Sequence, residues 1–306
     1  MTTRIFIDGA AGTTGLEIRD RLEGREEFEL LVLDNAQRKD EGARKEALHE
    51  ADIAILCLPD DAAREAVKLA EGSDTRIIDA SSAHRVTDGW TYGFPEIVGP
   101  EKIANAQLVS NPGCYPTGFL ALMAPLVVMS LLPHRWDYTV HAVSGYSGGG
   151  NALIDRFKND KAIAFRSYGL ELEHKHLPEM QKYADLEYPP LFSPAVIPAF
   201  RGMIVEVPLS LAVIHRSGPA RLVEEWRTWF GDSEVISVSE DTEQELLLRE
   251  NSDPWDGMKL SMHSSPDGSQ ARLVARLDNL GKGASGAAIQ NLNIMCGLPE
   301  TTGLRL

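Results

Sequence analysis

The feature that most constrains the fold is a glycine-rich turn between the chain's first strand pattern and its first helical pattern. Arg4–Ile7 is a short apolar run, and glycines follow it at positions 9, 12 and 15. Glycines let the backbone approach a pyrophosphate, and the N–H groups that open the next helix attract negative charge. The spacing differs from G-x-G-x-x-G, so an ordinary strand-to-helix turn stays an alternative interpretation. The residues predicted to hold a dinucleotide here are Gly9, Gly12, Thr13, Thr14 and Gly15.

Strand patterns and helical patterns continue to alternate through the first third of the chain. This alternation is typical of βαβ units, which build a parallel sheet. The further strands predicted are Phe28–Leu33, Ile53–Leu58, Arg76–Ile78 and Gln107–Val109. The pattern predicts an α/β fold with a Rossmann-like parallel sheet, whose ligands bind at the carboxyl ends of the strands.

Longer strand patterns dominate after a buried apolar helix that follows Pro116. The strands predicted there are Trp136–Ser144, Ala195–Phe200, Met203–Leu211, Lys259–His263 and Ala271–Leu277. Ser265–Gly268 has the sequence of a hairpin turn, which implies antiparallel pairing. Helical patterns at Asn151–Phe157 and Arg221–Phe230 interrupt the strands, so we expect an α+β domain with a mainly antiparallel sheet. An uncovered face of such a sheet commonly pairs across a two-fold axis, which predicts a homo-oligomer, either a dimer or a tetramer.

Charge and hydropathy exclude several classes of partner. The chain has 45 acidic and 30 basic residues and a formal charge of −15, which disfavours nucleic acid. Its longest apolar stretch, Phe119–Pro133, is broken by Pro125 and Ser130 and is shorter than the roughly 20 residues of a membrane span. No targeting pattern is visible, so we expect a cytoplasmic protein without a membrane partner. Three widely spaced cysteines indicate neither a disulfide framework nor a zinc ribbon.

The residues after the second and third strands leave the choice of dinucleotide open. Asp34 closes the second strand, where an acid would bind the ribose 2′-hydroxyl of NAD. Arg38 and Lys39 follow within one turn and could instead bind the 2′-phosphate of NADP. Leu58 and Pro59 end the third strand and turn the chain near the expected pyrophosphate and nicotinamide.

One cysteine stands on a tight turn that leads into a helical pattern. The segment from Ser110 reads S-N-P-G-C-Y-P-T, so its proline and glycine end a strand and Cys114 opens a helix. A thiol at a helix N-terminus has a lowered pKa, because the positive end of the dipole favours the thiolate. Cys114 is the predicted nucleophile, whereas Cys57 and Cys296 lie inside apolar runs and are predicted to be packed thiols.

A thiolate nucleophile needs a proton partner, and two histidines stand close together beyond the first domain. The segment from His174 reads H-K-H-L-P-E, so His176 follows two residues later. An imidazole beside a cysteine can hold an ion pair and move protons near neutral pH. The pair also suggests a metal site, but no other ligand has matching spacing nearby, so no metal is predicted.

Six motifs in a fixed order carry a resemblance to a known family. They are G-A-A-G-T-T-G-L from Gly9, Y-G-F-P-E from Tyr92, N-P-G-C-Y-P-T from Asn111, S-G-Y-S-G-G-G from Ser144, H-K-H-L-P-E from His174, and D-N-L-G-K-G-A-S-G-A-A-I-Q-N-L-N from Asp278. The chain is similar to the N-acetyl-gamma-glutamyl-phosphate reductase family and, in its length and T-T-G loop, to the shorter branch. Aspartate-semialdehyde dehydrogenase and glyceraldehyde-phosphate dehydrogenase are related by fold, but the N-P-G-C-Y-P turn argues against both.

The resemblance implies an activity and a mechanism. The activity is NADPH-dependent reduction of N-acetylglutamyl 5-phosphate to N-acetylglutamate 5-semialdehyde, with release of phosphate, in arginine biosynthesis. The Cys114 thiolate would attack the acyl carbon and expel phosphate, and hydride would reduce the thioester. By the family motif His174 would manage the protons, which leaves His176 for orientation or substrate contact.

The resemblance also implies roles for five further residues. Arg85 matches a family arginine expected to bind the leaving phosphate. Ser144 and Ser147 would contact the substrate, and Gly148 and Asn279 would contact NADP(H).

The same resemblance implies a discontinuous first domain, because the end of the last strand returns to the cofactor. The expected domains are 1–115 with 281–306, which binds the dinucleotide and is closed by the C-terminal helix, and 116–280, for catalysis and dimerisation. Two other functions remain open. One is a reductase of another acyl phosphate, of the aspartate-semialdehyde dehydrogenase type. The other is a non-redox cysteine hydrolase or an NADP-binding sensor, in which water resolves the thioester on Cys114.

Overall fold

The structure is a computed structural model that describes residues 2–34, 36–214, 218–239 and 243–306. The chain divides into two compact units, Met1–Pro112 with Ala284–Leu304, and Gly113–Gly283 with Arg305–Leu306. We call them unit 1 and unit 2. The chain crosses between them a few residues from each predicted domain boundary, and Cys114 belongs to unit 2.

The elements are numbered along the chain. The helices are α1 (Thr13–Leu22), α2 (Glu41–Glu50), α3 (Asp60–Leu69), α4 (Pro95–Val98), α5 (Pro100–Ala104), α6 (Cys114–Val128), α7 (Gly150–Asn159), α8 (Leu177–Tyr183), α9 (Leu211–Ile214), α10 (Pro219–Trp229) and α11 (Gly286–Met295). The strands are β1 (Thr3–Asp8), β2 (Phe28–Leu31), β3 (Ile53–Leu56), β4 (Arg76–Asp79), β5 (Thr91–Tyr92), β6 (Leu108–Ser110), β7 (Thr139–Gly145), β8 (Arg166–Ser167), β9 (Leu191–Ile197), β10 (Met203–Ser210), β11 (Ile236–Val238), β12 (Met258–Ser264) and β13 (Gln270–Leu277).

Unit 1 contains a parallel sheet with strand order β2-β1-β3-β4-β6-β5, which confirms the predicted Rossmann-like sheet. Every residue of β3 is buried, as expected for a central strand covered on both faces. Ile5, Ile55 and Leu292 belong to one apolar cluster, so α11 completes the core of this unit. Burying each such side chain contributes roughly 1.5–3 kcal/mol.

Unit 2 contains a mixed sheet with strand order β11-β12-β13-β10-β7-β9-β8. The predicted hairpin is confirmed, since β12 and β13 pair antiparallel on either side of Ser265–Gly268. Most neighbouring strands pair antiparallel, which confirms the predicted mainly antiparallel sheet, whereas β7 with β9 and β11 with β12 are parallel. The connection from β7 to β9 contains α7 and α8, and a connection of that length permits a parallel crossover.

Some strand limits differ from the predicted ones. β2 and β3 end two residues earlier than predicted, and Leu33 and Leu58, which follow the strand ends, line a cavity. β7 begins at Thr139, and β9 begins before Ala195, the predicted start. β9 includes Pro194, which has no N–H to donate. Its carbonyl accepts a hydrogen bond from the N–H of Tyr168, and the strand continues through it.

Helix α6 is apolar around most of its circumference, and its residues from Tyr115 to Val127 are buried. It packs against β10, β13, α8 and α10 inside unit 2, which confirms the predicted buried helix. The indole Nε1 of Trp226 donates to the carbonyl of Leu122 at 3.0 Å. Cys114, the first residue of α6, is therefore attached to the most deeply packed helix of unit 2.

Candidate functional site

The turn after β1 requires glycine for steric reasons. Gly9 has a φ of +89°, and a Cβ there would collide with the carbonyl of Cys57. A Cβ on Gly15 would lie 2.5 Å from the carbonyl oxygen of Gly9. Gly12 caps α1, and its N–H donates to the Gly9 carbonyl at 3.0 Å. The turn leads directly into the N-terminus of α1, which is the arrangement of an anion-binding loop.

A cavity of about 630 Å³ lies beside this turn, within unit 1. The predicted cofactor residues that line it are Gly9, Gly12, Arg38, Lys39, Leu58 and Pro59. Thr13, Thr14 and Gly15 open α1 and are not among the lining residues. The structure thus brings together the carboxyl ends of β1, β2 and β3, the edge at which α/β sheets bind ligands.

The acid and the cations after β2 have different surroundings. Asp34 Oδ1 accepts hydrogen bonds from the backbone N–H groups of Ala36 and Gln37, both at 2.8 Å, so this carboxylate caps a 3₁₀ turn. Arg38 and Lys39 lie on the same turn and line the cavity, whereas Asp34 does not. The cavity wall after β2 is therefore cationic, which suits a phosphate better than a hydroxyl.

Sequence reasoning missed three charged residues of this cavity, Asp8, Arg19 and Arg44. Arg44, on α2, donates from Nε and Nη2 to Asp8 Oδ2 at 3.1 and 2.8 Å, and both side chains are buried. The position of Asp8 in the sequence could have indicated this ion pair, because an acid at the end of a buried strand requires a basic partner.

Cys57 lines the same cavity without the properties of a nucleophile. Burial, and to a smaller extent the carboxylates of Asp79 and Asp8, raise the pKa of its thiol to about 12. A thiol with that pKa carries almost no thiolate at neutral pH.

Asn111, three residues before Cys114, is hydrogen-bonded through each of its polar groups inside unit 1. Its backbone N–H donates to Asp79, and its carbonyl accepts from Arg85 Nε at 3.0 Å. Its side-chain Nδ2 donates to the Ala284 carbonyl, and its Oδ1 accepts from Asn291 Nδ2, both at 3.0 Å. These contacts fix the residue from which the nucleophile turn starts.

Arg85 is buried and directed at this turn. Besides the Asn111 carbonyl, it reaches the carbonyl of Ala80 from Nη2 at 3.2 Å. Its neighbour His84 is bonded through Nδ1 to Asp79 Oδ2 at 2.6 Å and stacks on Trp90, with ring centroids 4.2 Å apart. Arg85, the residue predicted to bind the leaving phosphate, therefore lies in a loop after β4 that is held by several hydrogen bonds.

Cys114 is partly exposed at the N-terminus of α6. Gly113 caps the helix with an extended backbone, and Gly283 packs against the cysteine from the other side within unit 2. A Cβ on Gly283 would lie 2.9 Å from the Cβ of Cys114, which is closer than real side chains approach. The glycine at 283 is therefore required by the position of the nucleophile.

His174 and His176 lie in unit 2 beside Tyr115, the residue after Cys114. Their ring centroids are 4.7 Å apart and lie 6.2 and 5.8 Å from the Tyr115 ring. The backbone N–H of His176 donates to His174 Nδ1 at 3.2 Å. A neutral His174 ring in this arrangement carries its proton on Nε2, where it can act as a donor.

Glu179 connects the histidine segment to the nucleophile turn, and sequence reasoning did not single it out. Its side chain is 1% exposed. Oε2 accepts from the N–H of Gly113 at 3.1 Å, and Oε1 is 4.0 Å from His176 Nε2. Glu179 is the last residue of the H-K-H-L-P-E motif, but nothing in the sequence predicted that it lies next to Gly113.

Two tyrosines complete the surroundings of the histidines. Tyr168 donates to the Tyr115 hydroxyl at 3.3 Å, and Tyr115 donates to the Ala195 carbonyl at 3.1 Å. Burial raises the pKa of Tyr168 to about 12 and that of Tyr115 well above its usual value. Both phenols stay protonated at neutral pH and cannot serve as bases.

The remaining predicted residues of unit 2 lie close together, with Ser144, Ser147 and Asn279 buried and Gly148 exposed. Asn279 Nδ2 donates to Ser147 Oγ at 2.9 Å, and a Cβ on Gly148 would meet Ser144 Oγ at 3.3 Å and Asn279 Nδ2 at 3.4 Å. Asn279 Oδ1 is buried and accepts no hydrogen bond from the described part of the chain. A buried acceptor of this kind fits an N–H group of a ligand.

No helix in the described ranges has the length and the apolar composition of a membrane span. Within the same ranges no three or more His, Cys, Asp or Glu residues are grouped as metal ligands would be.

Comparisons with known proteins match nearly the whole chain. The model of the semialdehyde dehydrogenase NAD binding domain matches residues 4–106, and that of the semialdehyde dehydrogenase dimerisation domain matches residues 114–279. The N-acetyl-gamma-glutamyl-phosphate reductase of Trichormus variabilis is 46% identical, over 98% of this chain and 99% of the relative. The protein of the same name from Brucella ovis is 48% identical, over 97% and 100%. Aspartate semialdehyde dehydrogenase II from Vibrio cholerae, complexed with ASA, is 18% identical with a TM-score of 0.75 over 97% and 99%, a likeness of fold.

Proposed function

The chain belongs to the N-acetyl-gamma-glutamyl-phosphate reductase family, as its motifs predicted, and on that premise we propose that it reduces N-acetylglutamyl 5-phosphate to N-acetylglutamate 5-semialdehyde with NADPH. The reaction releases phosphate and is a step of arginine biosynthesis. The observation that carries the proposal is Cys114 at the start of a buried helix, in a chain that also has a dinucleotide-binding glycine turn.

The cofactor in this proposal is NADPH rather than NADH. Arg38 and Lys39 line the cavity and suit a 2′-phosphate, whereas the Asp34 carboxylate is occupied by backbone N–H groups. Asn279 Oδ1 offers an acceptor for the nicotinamide carboxamide, and Gly148 leaves space beside it. When bound, the cofactor supplies a hydride to the acyl carbon.

Cys114 performs the acyl transfer. Its thiolate, favoured by the N-terminus of α6, attacks the acyl carbon and forms a thioester as the C–O bond to phosphate breaks. After hydride has reached this carbon, the C–S bond breaks, the aldehyde leaves and the thiolate is restored. His174 Nε2 serves as the acid and base for the reacting oxygen and sulfur.

Further residues hold the substrate. Arg85 binds the leaving phosphate, and its bonds to Asn111 and Ala80 keep its guanidinium in place. His176, oriented by Glu179, contacts the substrate together with Ser144 and Ser147.

A homo-oligomer is part of the proposal. The chain matches a dimerisation domain over residues 114–279, and β10 alternates buried and more exposed side chains, as a strand with one face on the core does. Light scattering should give a dimer or a tetramer. A cytoplasmic location and the absence of a nucleic-acid partner stay expectations from the sequence.

Oxidation of NADPH with N-acetylglutamyl phosphate tests the function, and aspartyl phosphate is the matched control substrate. We expect NADPH oxidation and phosphate release in equal amounts with the first substrate and little of either with the second. A preference for aspartyl phosphate would favour the other acyl-phosphate reductase. Phosphate release without NADPH would favour the hydrolase.

A further inference from the structure

A buried carboxylate stands at the place where the proposed cofactor's phosphates must approach. Asp8 is the last residue of β1, directly precedes Gly9 and lines the same cavity. Its side chain is 4% exposed, so water screens its charge poorly. An unpaired carboxylate there would repel a pyrophosphate.

Arg44 is placed to remove this repulsion. Two of its nitrogens donate to one oxygen of Asp8, and its third nitrogen, Nη1, lies 3.8 Å from Glu65 Oε2 on α3. The Glu65 side chain is 55% exposed, so its charge is well screened. Arg44 therefore neutralises chiefly Asp8, and it lines the cavity as well.

The charge of Asp8 acts on other groups of the cavity. It is one of the causes that raise the pKa of the Cys57 thiol, which lines the cavity at the end of β3. A charge that disfavours a thiolate in this wall also disfavours a phosphate there.

We propose that the Asp8–Arg44 pair sets the dinucleotide affinity of unit 1 through its charge, with Arg44 cancelling Asp8 so that a pyrophosphate can approach the glycine turn. This inference rests on the proposed cofactor site. Arg44 then affects NADPH and NADH alike, because both carry a pyrophosphate. Arg38 and Lys39 differ from it, since they act on the 2′-phosphate.

The test is the binding of NADPH and of NADH, measured by nicotinamide fluorescence, to single and double variants. Arg44→Met should weaken both nucleotides about tenfold or more, the size expected for one unit charge several ångströms from a phosphate. Asp8→Asn should tighten both, because Arg44 loses its counter-charge. The double variant should bind within about threefold of the unchanged protein, since both charges are gone. Glu65→Gln is the control and should bind as the unchanged protein does.

The directions in which the two single variants change nucleotide affinity distinguish an electrostatic role of the pair from a structural one. Both single variants break the same ion pair, so weaker binding in both would overturn the proposal in favour of a structural pair. A loss confined to NADPH in Arg44→Met would also overturn it, because Arg44 would then bind the 2′-phosphate. If Arg44→Met does not fold, near-normal binding by the double variant supports the proposal and weak binding contradicts it. Failure of the unchanged protein to bind either nucleotide would overturn the cofactor site itself, and the inference with it.

Discussion

Arg19, Arg38, Lys39 and Arg44 line the cavity of unit 1, whereas aromatic rings and the buried Glu179 surround the histidines near the start of α6 in unit 2. A ligand held by several charges loses only part of its affinity when one charge is removed. A covalent reaction depends on one sulfur atom and on the groups that move its protons. The largest effects of substitution are therefore expected in unit 2 and the smaller ones in unit 1.

The strongest test of this contrast is Cys114→Ser. Reduction should fall at least about 1,000-fold, because a hydroxyl is a far poorer nucleophile than a thiolate near neutral pH. NADPH binding, measured by fluorescence titration, should be nearly unchanged. Cys296→Ser is the matched control and should keep its activity. Substantial turnover by Cys114→Ser would exclude the thioester mechanism.

His174→Asn should lower kcat by roughly 100- to 10,000-fold, the usual size of lost acid–base catalysis. His176→Asn should act mainly on KM, because a group that positions the substrate contributes similarly to ground and transition states. Steady-state kinetics and the rate of Cys114 alkylation by iodoacetamide at pH 7 separate the two roles. If His176→Asn slowed alkylation and His174→Asn did not, the assignment would be reversed.

Gly283→Ala should have a smaller effect on the same reaction. The new Cβ would lie 2.9 Å from the Cβ of Cys114, so the cysteine must shift. A misplacement of this kind costs up to about 100-fold in kcat, while nucleotide binding by unit 1 stays normal. The control is Gly218→Ala, where a Cβ meets nothing within 4 Å and φ is −72°. Equal kinetics of the two variants would contradict a close-packing role for Gly283.

The sequence predicted features that depend on neighbouring residues and missed those that depend on distant ones. The glycine turn and the helix opened by Cys114 are contiguous patterns, and the structure has both. The contact between Asn111 and Asn291 joins residues 180 positions apart. Glu179 reaches Gly113 across 66 positions. No local pattern specifies such contacts, because only the complete packing brings α11 to β6 or α8 to α6.

Within unit 1, Arg38→Ala with Lys39→Ala should weaken NADPH binding about tenfold and NADH binding much less. The two cations line the cavity after β2 and suit a phosphate that only NADPH carries. Lys45→Ala, which removes an exposed cation of α2 outside the cavity lining, is the control. Fluorescence titration with both nucleotides measures the effect. Equal losses for NADPH and NADH would mean that the 2′-phosphate binds elsewhere.

The smallest effect concerns Cys57 of unit 1, whose thiol differs from that of Cys114 in unit 2. Because the pKa of Cys57 is about 12, its thiolate fraction at pH 8 is roughly 1 in 10,000 and rises about tenfold per pH unit until the pKa is reached. Peptide mass spectrometry after iodoacetamide should therefore find Cys114 labelled and Cys57 unlabelled at pH 8. Asp8→Asn removes one cause of the raised pKa, so labelling of Cys57 should increase slightly at every pH below 12. Labelling of Cys57 as fast as that of Cys114 would show that charge and burial do not distinguish the two thiols.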